Sequence, residues 1–284
     1  MNIYKKRKIQ NLIALSFSFL TAFIGIFFLS FILFDLISKG ISHININLFT
    51  LDTAPAVLNI EGGLRQAFIG QLILTLIATL IGVPLGILSG TFLAEYGRYS
   101  KFGRFISNLA DITVSMPTII IGTFIYAILV KPFGSFNGWA GAIALAIIML
   151  PVVMRTTEEM MNLVPDSLRE AAFALGASKT KVTIQIVWKS AISGIFTGVI
   201  LSIARIAGET APLLFTSFNN NFLSFDMSGP MPSLTVTIYQ YAASAYDNWV
   251  QLAWAGSLVI TLFILAISVF GRYIVNWRAN KSNG

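Results

Sequence analysis

Two ionisable residues, Arg205 and Glu209, interrupt an otherwise apolar stretch over residues 191–215. Being four positions apart, they would share one face of a helix and could pair. A charge inside a bilayer costs about 3 kcal/mol or more on insertion scales, so each side chain needs a partner or water. One interpretation is a structural ion pair that neutralises both groups. We favour a second, that Arg205 lines a path through the membrane while Glu209 holds it in place, because ionisable residues within membranes usually serve function.

A second group of residues lies in the polar segment 155–189, between two apolar stretches. Pro165 suits the first turn of a helix, where its missing N–H costs nothing, and Asp166 suits the positive end of the helix dipole. Gly176 stands where a helix C-cap favours a left-handed residue. The helix between these signals would carry one apolar face, formed by Leu168, Ala171, Ala172 and Leu175.

Ser178 could cap a second short helix that continues through Val182 and Ile186. The segment therefore predicts two short helices joined by a sharp glycine turn, with an exposed face of apolar and small residues. Such a pair either packs on its own helix bundle or docks in a groove on a partner. The residues alone favour neither alternative.

Residues for catalysis or metal binding are scarce. The chain has no cysteine, and its single histidine, His43, lies in a polar loop typical of solvated residues. Glu158 and Glu159 are adjacent, so they do not face each other on a helix, and we interpret them as a solvated face. No Gly-Lys dipeptide occurs, which excludes the phosphate-binding loop of ATPases. We expect no catalytic residue, no metal site and no cofactor in this chain.

The composition is that of a membrane protein. Hydrophobic residues make up 56% of the 284 positions and charged residues 11%, whereas soluble domains carry about 25% charged residues. So few charges cannot cover a water-soluble globule of this size. The formal net charge of +7 therefore concerns membrane orientation, and we expect no nucleic acid partner.

Six apolar runs can each supply the ~20 residues needed to cross the bilayer as a helix. The sequence thus predicts an all-α membrane protein with six transmembrane helices. Prolines 84, 117, 151 and 212 lie inside the predicted spans and favour kinks. Gly82, Gly86 and Gly90, like Gly194 and Gly198, recur at four-residue spacing, which lets helices approach closely within this chain or against a partner. The predicted spans are residues 12–34, 66–94, 112–130, 132–154, 191–215 and 248–271.

Basic residues predict the orientation, because loops on the cytoplasmic side are rich in Lys and Arg. With the N-terminus inside, only Lys39, Arg65 and Lys131 fall outside. The inside residues are Lys5, Lys6, Arg7, Lys8, Arg98, Lys101, Arg104, Arg155, Arg169, Lys179, Lys181, Lys189, Arg272, Arg278 and Lys281. Both termini are therefore predicted to be cytoplasmic.

The run Glu170-Ala171-Ala172, followed by Gly176 and Ile186, resembles the EAA loop of permeases from bacterial ABC importers. That motif reads E-A-A, three residues, G, nine residues, I, one residue, L-P. The chain departs from it at the end, where Trp188-Lys189 replaces the usual L-P.

The resemblance extends over roughly residues 66–272 to one family, the A-type permease subunits of high-affinity phosphate importers (PstA). It rests on residues 149–161 with Val164-Pro165, on Ser115-Met116-Pro117, and above all on the run Gly208-Glu209-Thr210-Ala211-Pro212. Further agreement comes from the segment 231–239 and from Trp254-Ala255.

This resemblance implies the type I ABC importer permease fold in the bacterial inner membrane. It implies a second homologous permease subunit, two copies of an ATP-binding subunit and an extracytoplasmic phosphate-binding protein as partners, besides membrane lipid. The translocation path would include Arg205, which would meet phosphate transiently, and Glu209, which would hold Arg205 in place. Alternating access would be driven by ATP in the partner subunits. The residues that would contact the ATPase are Glu170, Ala171, Ala172 and Gly176.

The resemblance also suggests how the chain is divided. Residues 1–65 would hold a cytoplasmic tail, the first span and an external segment. Residues 66–275 would form the transmembrane domain, with its coupling loop at about 155–190, and residues 276–284 a cytoplasmic tail.

Three alternatives remain open at this stage. The nearest is a permease for another oxyanion, such as sulfate, molybdate or phosphonate, which the anion that raises ATPase activity would reveal. A secondary transporter would work on an ion gradient without an ATPase and gives no reason for the loop at residues 170–176. A membrane-embedded enzyme, such as a lipid transferase, would need an acidic or histidine cluster that the loops lack.

Overall fold

The computed structural model of the protein describes residues 3–58 and 60–282, and its regular structure there is helical, as predicted. π-helical turns extend three of the helices, at Leu93–Gly97, Tyr126–Val130 and Thr183–Val187. The helices are α1 (Ile3–Gly40), α2 (Asn47–Thr50), α3 (Arg65–Phe92), α4 (Lys101–Ser115), α5 (Thr118–Ile125), α6 (Gly138–Asn162), α7 (Asp166–Ala174), α8 (Lys179–Val182), α9 (Trp188–Ile206), α10 (Ala211–Thr216), α11 (Leu234–Ala242) and α12 (Asp247–Ser282).

Helix α6 is the centre of the bundle and the most buried of the long helices. The glycines of α3 pack against it, and a Cβ added at Gly86 would lie only 2.7 Å from the Cβ of Val153. The glycines of α9 pack on α6 as well, with Gly198 against Thr156. The small residues at four-residue spacing therefore serve packing within this chain, since they allow the helices to approach closely.

Helices α3 and α6 run parallel, because Gly82 lies beside Ala146 and Gly90 lies beside Met154. Both begin at the same side of the bundle, which we name the Arg65 face, and both end at the opposite side, the Asn162 face. The chain must therefore return to the Arg65 face between them. Helices α4 and α5 make that crossing.

The remaining long helices alternate in direction. Helix α9 is antiparallel to α6, and α12 is antiparallel to α9. Helix α1 ends at Gly40, against Trp254 near the start of α12, and its 38 residues span about 57 Å. Its beginning and the end of α12 thus lie toward the Asn162 face. The contacts that set these directions are Gly194 with Met160, Gly198 with Thr156, Gly208 with Ile264 and Gly271 with Ile200.

The third crossing is broken at Pro117, where the sequence favoured a kink, and it begins with α4, before the predicted span 112–130. Helices α4 and α5 meet at Met116-Pro117 with a bend of 105°. Pro117 has no N–H to continue the helix, and it disfavours helical backbone at Met116. Among residues 3–58 and 60–282, five helices are long and apolar enough to span a membrane alone, and the number is six when the bent pair is counted as one span.

The fifth predicted span is also broken. Helix α9 ends at Ile206 and the short helix α10 begins at Ala211. Pro117 and Pro212 therefore lie beside breaks, while Pro84 and Pro151 lie inside helices as predicted.

The fourth span begins at Gly138 rather than at residue 132. The side chain of Asn137 accepts a hydrogen bond from the Ala140 N–H at 2.8 Å and so caps the helix start. The first and sixth predicted spans are confirmed within α1 and α12, and the second within α3 and its π-helical extension to Gly97. Helix α12 continues through Ser282, while residues 283 and 284 of the predicted tail lie outside the described part of the chain.

At the Arg65 face, the segment between α1 and α3 folds over the ends of the helices. Tyr241 donates a hydrogen bond to Thr53 Oγ1 at 2.9 Å, and Trp249 stacks on the Tyr241 ring with centroids 4.4 Å apart. Trp249 Nε1 also donates to the Ala54 carbonyl at 3.1 Å. Burial raises the pKa of the Tyr241 phenol above its ordinary value.

Candidate coupling segment and translocation path

The glycine turn at the Asn162 face follows the sequence prediction. Gly176 has φ +80°, immediately after the C-cap residue of α7. Its N–H donates to the Phe173 carbonyl at 2.9 Å, and the Ala177 N–H donates to the Ala172 carbonyl at 3.1 Å. These two bonds form a Schellman motif, which ends the helix in a left-handed residue.

The residues of the E-A-A run point to two sides of α7. Ala172 is only 6% exposed and packs with Val182 and Ala191 in a cluster beneath the helix. Glu170 and Ala171 are exposed. The segment therefore packs on its own bundle with one face and leaves another face open.

The open face carries large apolar side chains in a region that is otherwise polar. Leu175, at the tip of the turn, is 89% exposed. Leu163, Leu168 and Phe173, in or next to α7, are exposed as well. An exposed apolar patch of this kind is typical of a protein–protein contact.

The second half of the segment differs from the prediction of a separate short helix. Helix α8 begins after Ser178, which occupies the N-cap position without a side-chain hydrogen bond. From Lys179 the helix continues without a break to Ile206. Trp188, which stands where the EAA motif usually has its final leucine, donates from Nε1 to Thr91 Oγ1 of α3 at 3.1 Å. The turn at Gly176 is thus rigidly connected to the fifth crossing.

Arg169, next to the E-A-A run, joins α7 to the bundle. Its Nε and Nη2 donate to Glu95 Oε1 at 3.2 and 2.9 Å. Nη2 also donates to the Met161 carbonyl at 2.9 Å, and Nη1 donates to the Val164 carbonyl and to Asp166 Oδ1. All five N–H donors of the guanidinium are engaged.

The Glu95–Arg169 pair is largely buried, with side-chain exposures of 7% and 13%. Glu95 lies in the π-helical turn Leu93–Gly97 that extends α3. Sequence reasoning missed this pair, because 74 positions separate the partners. The sequence did carry a usable signal. Glu95 follows the predicted cytoplasmic end of the second span, and Arg169 lies in the loop 155–189 on the same side of the membrane.

A second ion-pair network links α4 to α6. Arg155 donates from Nε to Asp111 Oδ1 at 3.0 Å, from Nη1 to Glu158 Oε2 at 2.9 Å, and from Nη2 to the Ser107 carbonyl at 3.1 Å. The interpretation of Glu158 as part of a solvated face was therefore wrong. Its carboxylate is held by Arg155, and Glu159 alone is exposed.

The pair Arg205 and Glu209 lies at the break of the fifth crossing. The sequence placed both residues inside one helix, but α9 ends at Ile206, so Glu209 follows the helix end. Arg205 Nε lies 3.7 Å from Glu209 Oε1. This is an ion pair beyond hydrogen-bond distance.

The two partners are unequally exposed, with 45% of the Arg205 side chain accessible but only 16% of Glu209. Within the described residues the Arg205 guanidinium donates no hydrogen bond, in contrast to Arg155 and Arg169. Arg205 therefore retains donors for another ligand.

Two side chains hold the broken backbone beside this pair. Gln71 of α3 donates from Nε2 to the Ala207 carbonyl at 3.2 Å. Thr235 of α11 donates from Oγ1 to the Glu209 carbonyl at 2.8 Å. Neighbouring helices thus satisfy carbonyls that the break releases, which is the condition for irregular backbone at membrane depth.

The break also lies close to the broken third crossing. A Cβ at Gly122 of α5 would lie 2.6 Å from Cα of Pro212 in α10. The chain therefore places two discontinuous helices in contact beside a charged pair. Residues 3–58 and 60–282 contain no group of three or more His, Cys, Asp or Glu residues that could hold a metal ion.

The sequence matches the family described as "Binding-protein-dependent transport system inner membrane component" over residues 82–280. Among curated relatives, a phosphate transport system permease protein PstA of Pasteurella multocida is 53% identical over 94% of each chain. The PstA of Haemophilus influenzae is 52% identical over the same shares. A probable PstA of Methanocaldococcus jannaschii is 42% identical over 75% of this chain and 76% of its own.

Solved structures agree in fold. An inward-facing MetNI methionine ABC transporter aligns with a TM-score of 0.57 over 74% of this chain and 92% of that chain, at 19% identity. An amino acid ABC transporter gives 0.52, over 76% and 94% of the two chains, again at 19% identity. The predicted type I ABC importer permease fold is thereby confirmed. The chain belongs to the binding-protein-dependent transport system inner membrane component family and, within it, to the PstA group of permeases.

Proposed function

We propose that this permease subunit carries inorganic phosphate, as its curated relatives are named for doing. An ABC importer permease implies ATP-binding and substrate-binding partners. We propose one further permease subunit, two ATP-binding subunits and an external phosphate-binding protein. With the Asn162 face in the cytoplasm, where the basic residues concentrate, both termini are cytoplasmic and the Arg65 face receives phosphate.

The coupling surface in this proposal is the open face around the Gly176 turn. Glu170, Ala171 and Gly176 lie on it, together with the exposed Leu175. Ala172 is buried, so we assign it to packing beneath the surface rather than to contact with the ATPase. A partner groove that buries Leu175 would gain about 1.5–3 kcal/mol from that side chain.

The translocation path in this proposal passes Arg205. The observation that carries it is an arginine at a helix break with 45% of its side chain exposed and a loose ion pair as its acidic contact. A guanidinium offers five donors that match phosphate oxygens. Glu209 holds the Arg205 side chain at the break. It also lowers the affinity of Arg205 for the anion, so that phosphate is released in each cycle.

Three variants separate this role from a purely structural ion pair. Arg205→Gln should abolish phosphate uptake without lowering the yield of the complex with the ATPase. Glu209→Gln should slow cycling, because an unpaired Arg205 holds the anion more tightly. The double variant Arg205→Gln/Glu209→Gln should remain inactive. A double variant that transports phosphate normally would show that the pair only neutralises itself.

A permease for sulfate, molybdate or phosphonate is the nearest alternative, and the guanidinium chemistry of Arg205 suits any of these anions. The names of the curated relatives favour phosphate. A secondary transporter gives no reason for an exposed apolar turn at the Asn162 face.

A further inference from the structure

We infer that the buried Glu95–Arg169 pair is a positioning device, which makes the coupling helix α7 move as one body with the second and fourth crossings. The inference rests on the proposed function, because it concerns how the same permease receives the ATPase motion. Neither residue belongs to the predicted coupling surface.

The five N–H donors of Arg169 reach three elements of the fold. Two reach Glu95, at the end of α3. Two reach the carbonyls of Met161 and Val164, at the end of α6. The fifth reaches Asp166 in the first turn of α7 itself. One side chain therefore bonds the ends of two crossings and the start of the coupling helix.

This arrangement requires arginine in particular. The carbonyls at a helix end lack partners within the helix, and Arg169 supplies donors to that region of α6. Lysine has only three donors and no planar fork, so it could not serve all of these acceptors together. A second contact supports the same link, because Lys179 Nζ lies 4.3 Å from the ring centroid of Tyr96, next to Glu95.

Because the pair is shielded from water, the contact between α7 and the ends of α3 and α6 should persist while these helices move. Exposed ion pairs are worth little and break easily, whereas losing one partner of a buried pair leaves an uncompensated charge. Motion at Gly176 reaches the fifth crossing through the continuous helix Lys179–Ile206. Through Arg169 it also reaches the second and fourth crossings, which pack together along the glycines of α3.

The test uses the full complex with its ATPase, reconstituted with phosphate-loaded binding protein. Glu95→Gln and Arg169→Lys are compared with the wild type and with Asp35→Asn. The last variant removes an exposed pair, Asp35–Lys39 at 2.9 Å, on α1. We measure phosphate transported per ATP hydrolysed, complex yield, and hydrogen exchange of the α7 amides.

For Glu95→Gln we expect normal yield, retained ATPase activity, about tenfold fewer phosphate ions per ATP, and about tenfold faster exchange across α7. Arg169→Lys should show the same changes as Glu95→Gln, although its positive charge remains. Asp35→Asn should match the wild type. Normal transport per ATP and normal exchange in Glu95→Gln would overturn the inference. So would a lowered yield whose surviving complex couples normally, because the pair would then serve stability alone. Absence of phosphate uptake by the wild type would instead refute the proposed function, and the exchange of α7 amides would still test the link.

Discussion

Replacing Gly176 by valine tests the coupling turn with the least ambiguity, because the structure isolates one physical effect. Gly176 has φ +80°, and a Cβ added there would meet no atom within 4 Å. Within this chain the substitution therefore causes no collision, and only the left-handed backbone resists it. That conformation costs a residue with a Cβ about 1–2 kcal/mol, which lowers the population of the turn about 5- to 30-fold.

A matched control exists in the same chain. Gly134 has φ +71° and also has no atom within 4 Å of an added Cβ, but it lies in the turn between α5 and α6, at the Arg65 face. Gly134→Val should carry a similar backbone cost and leave phosphate transported per ATP unchanged. Gly176→Val should lower that ratio at normal complex yield, while Gly176→Asn should stay near the wild type, because asparagine tolerates this conformation. Equal ratios for the two valine variants would refute the role of the Gly176 turn.

Three further outcomes can be checked. Gly90→Leu should reduce the yield of folded complex severely, because a Cβ there would lie 2.6 Å from Thr157 Cβ. Gly25→Leu, with open space around it, should not reduce the yield. Equal yields of the two variants would contradict the packing of α3 on α6. Gln71→Leu should destabilise the purified complex by about 1–3 kcal/mol, because the Ala207 carbonyl loses its side-chain donor. The measurement is the thermal midpoint of unfolding, with Thr79→Val as the control. An unchanged midpoint in Gln71→Leu would argue against this bond. Reporter fusions after Gly40 and near Ser228 should both read as external, and a cytoplasmic signal at Ser228 would overturn the six-crossing topology.

Local patterns predicted the features that depend on local physics. The position of Gly176 follows from the preference of a left-handed helix end for glycine, and the structure has that turn. Uncharged runs predicted that residues around α1, α3 and α12 cross the membrane. The division of the chain into 1–65, 66–275 and 276–284 remains a prediction.

The breaks in the third and fifth crossings were harder to predict. Hydrophobicity indicates which residues can lie in the membrane, but it does not indicate whether the helix continues through them. Residues 112–130 are uniformly apolar or uncharged, yet Pro117 divides them. Residues 207–210 contain no proline, although Pro212 follows the break. The break is stabilised by Gln71 and Thr235, which donate hydrogen bonds to the carbonyls of Ala207 and Glu209. Those donors come from α3 and α11, which no pattern along the fifth span reveals.

The Glu95–Arg169 pair was missed for a similar reason. Its partners are joined only by the parallel packing of α3 and α6, which brings the ends of both helices to one face of the bundle. Conversely, the continuity of α8 with α9 had a sequence signal, because residues 179–206 contain no proline. The helix also runs without a break through Trp188-Lys189, where this chain departs from the L-P ending of the motif.

We propose above that this chain forms part of the membrane path of an ATP-driven phosphate importer. The most direct measurement is ATP hydrolysis and anion uptake by the reconstituted complex, with the binding protein loaded in turn with phosphate, sulfate and molybdate. Phosphate should raise ATPase activity and accumulate in the vesicles, and both effects should require ATP. Stimulation by sulfate or molybdate with phosphate inert, or phosphate uptake driven by an ion gradient without ATP, would contradict the account.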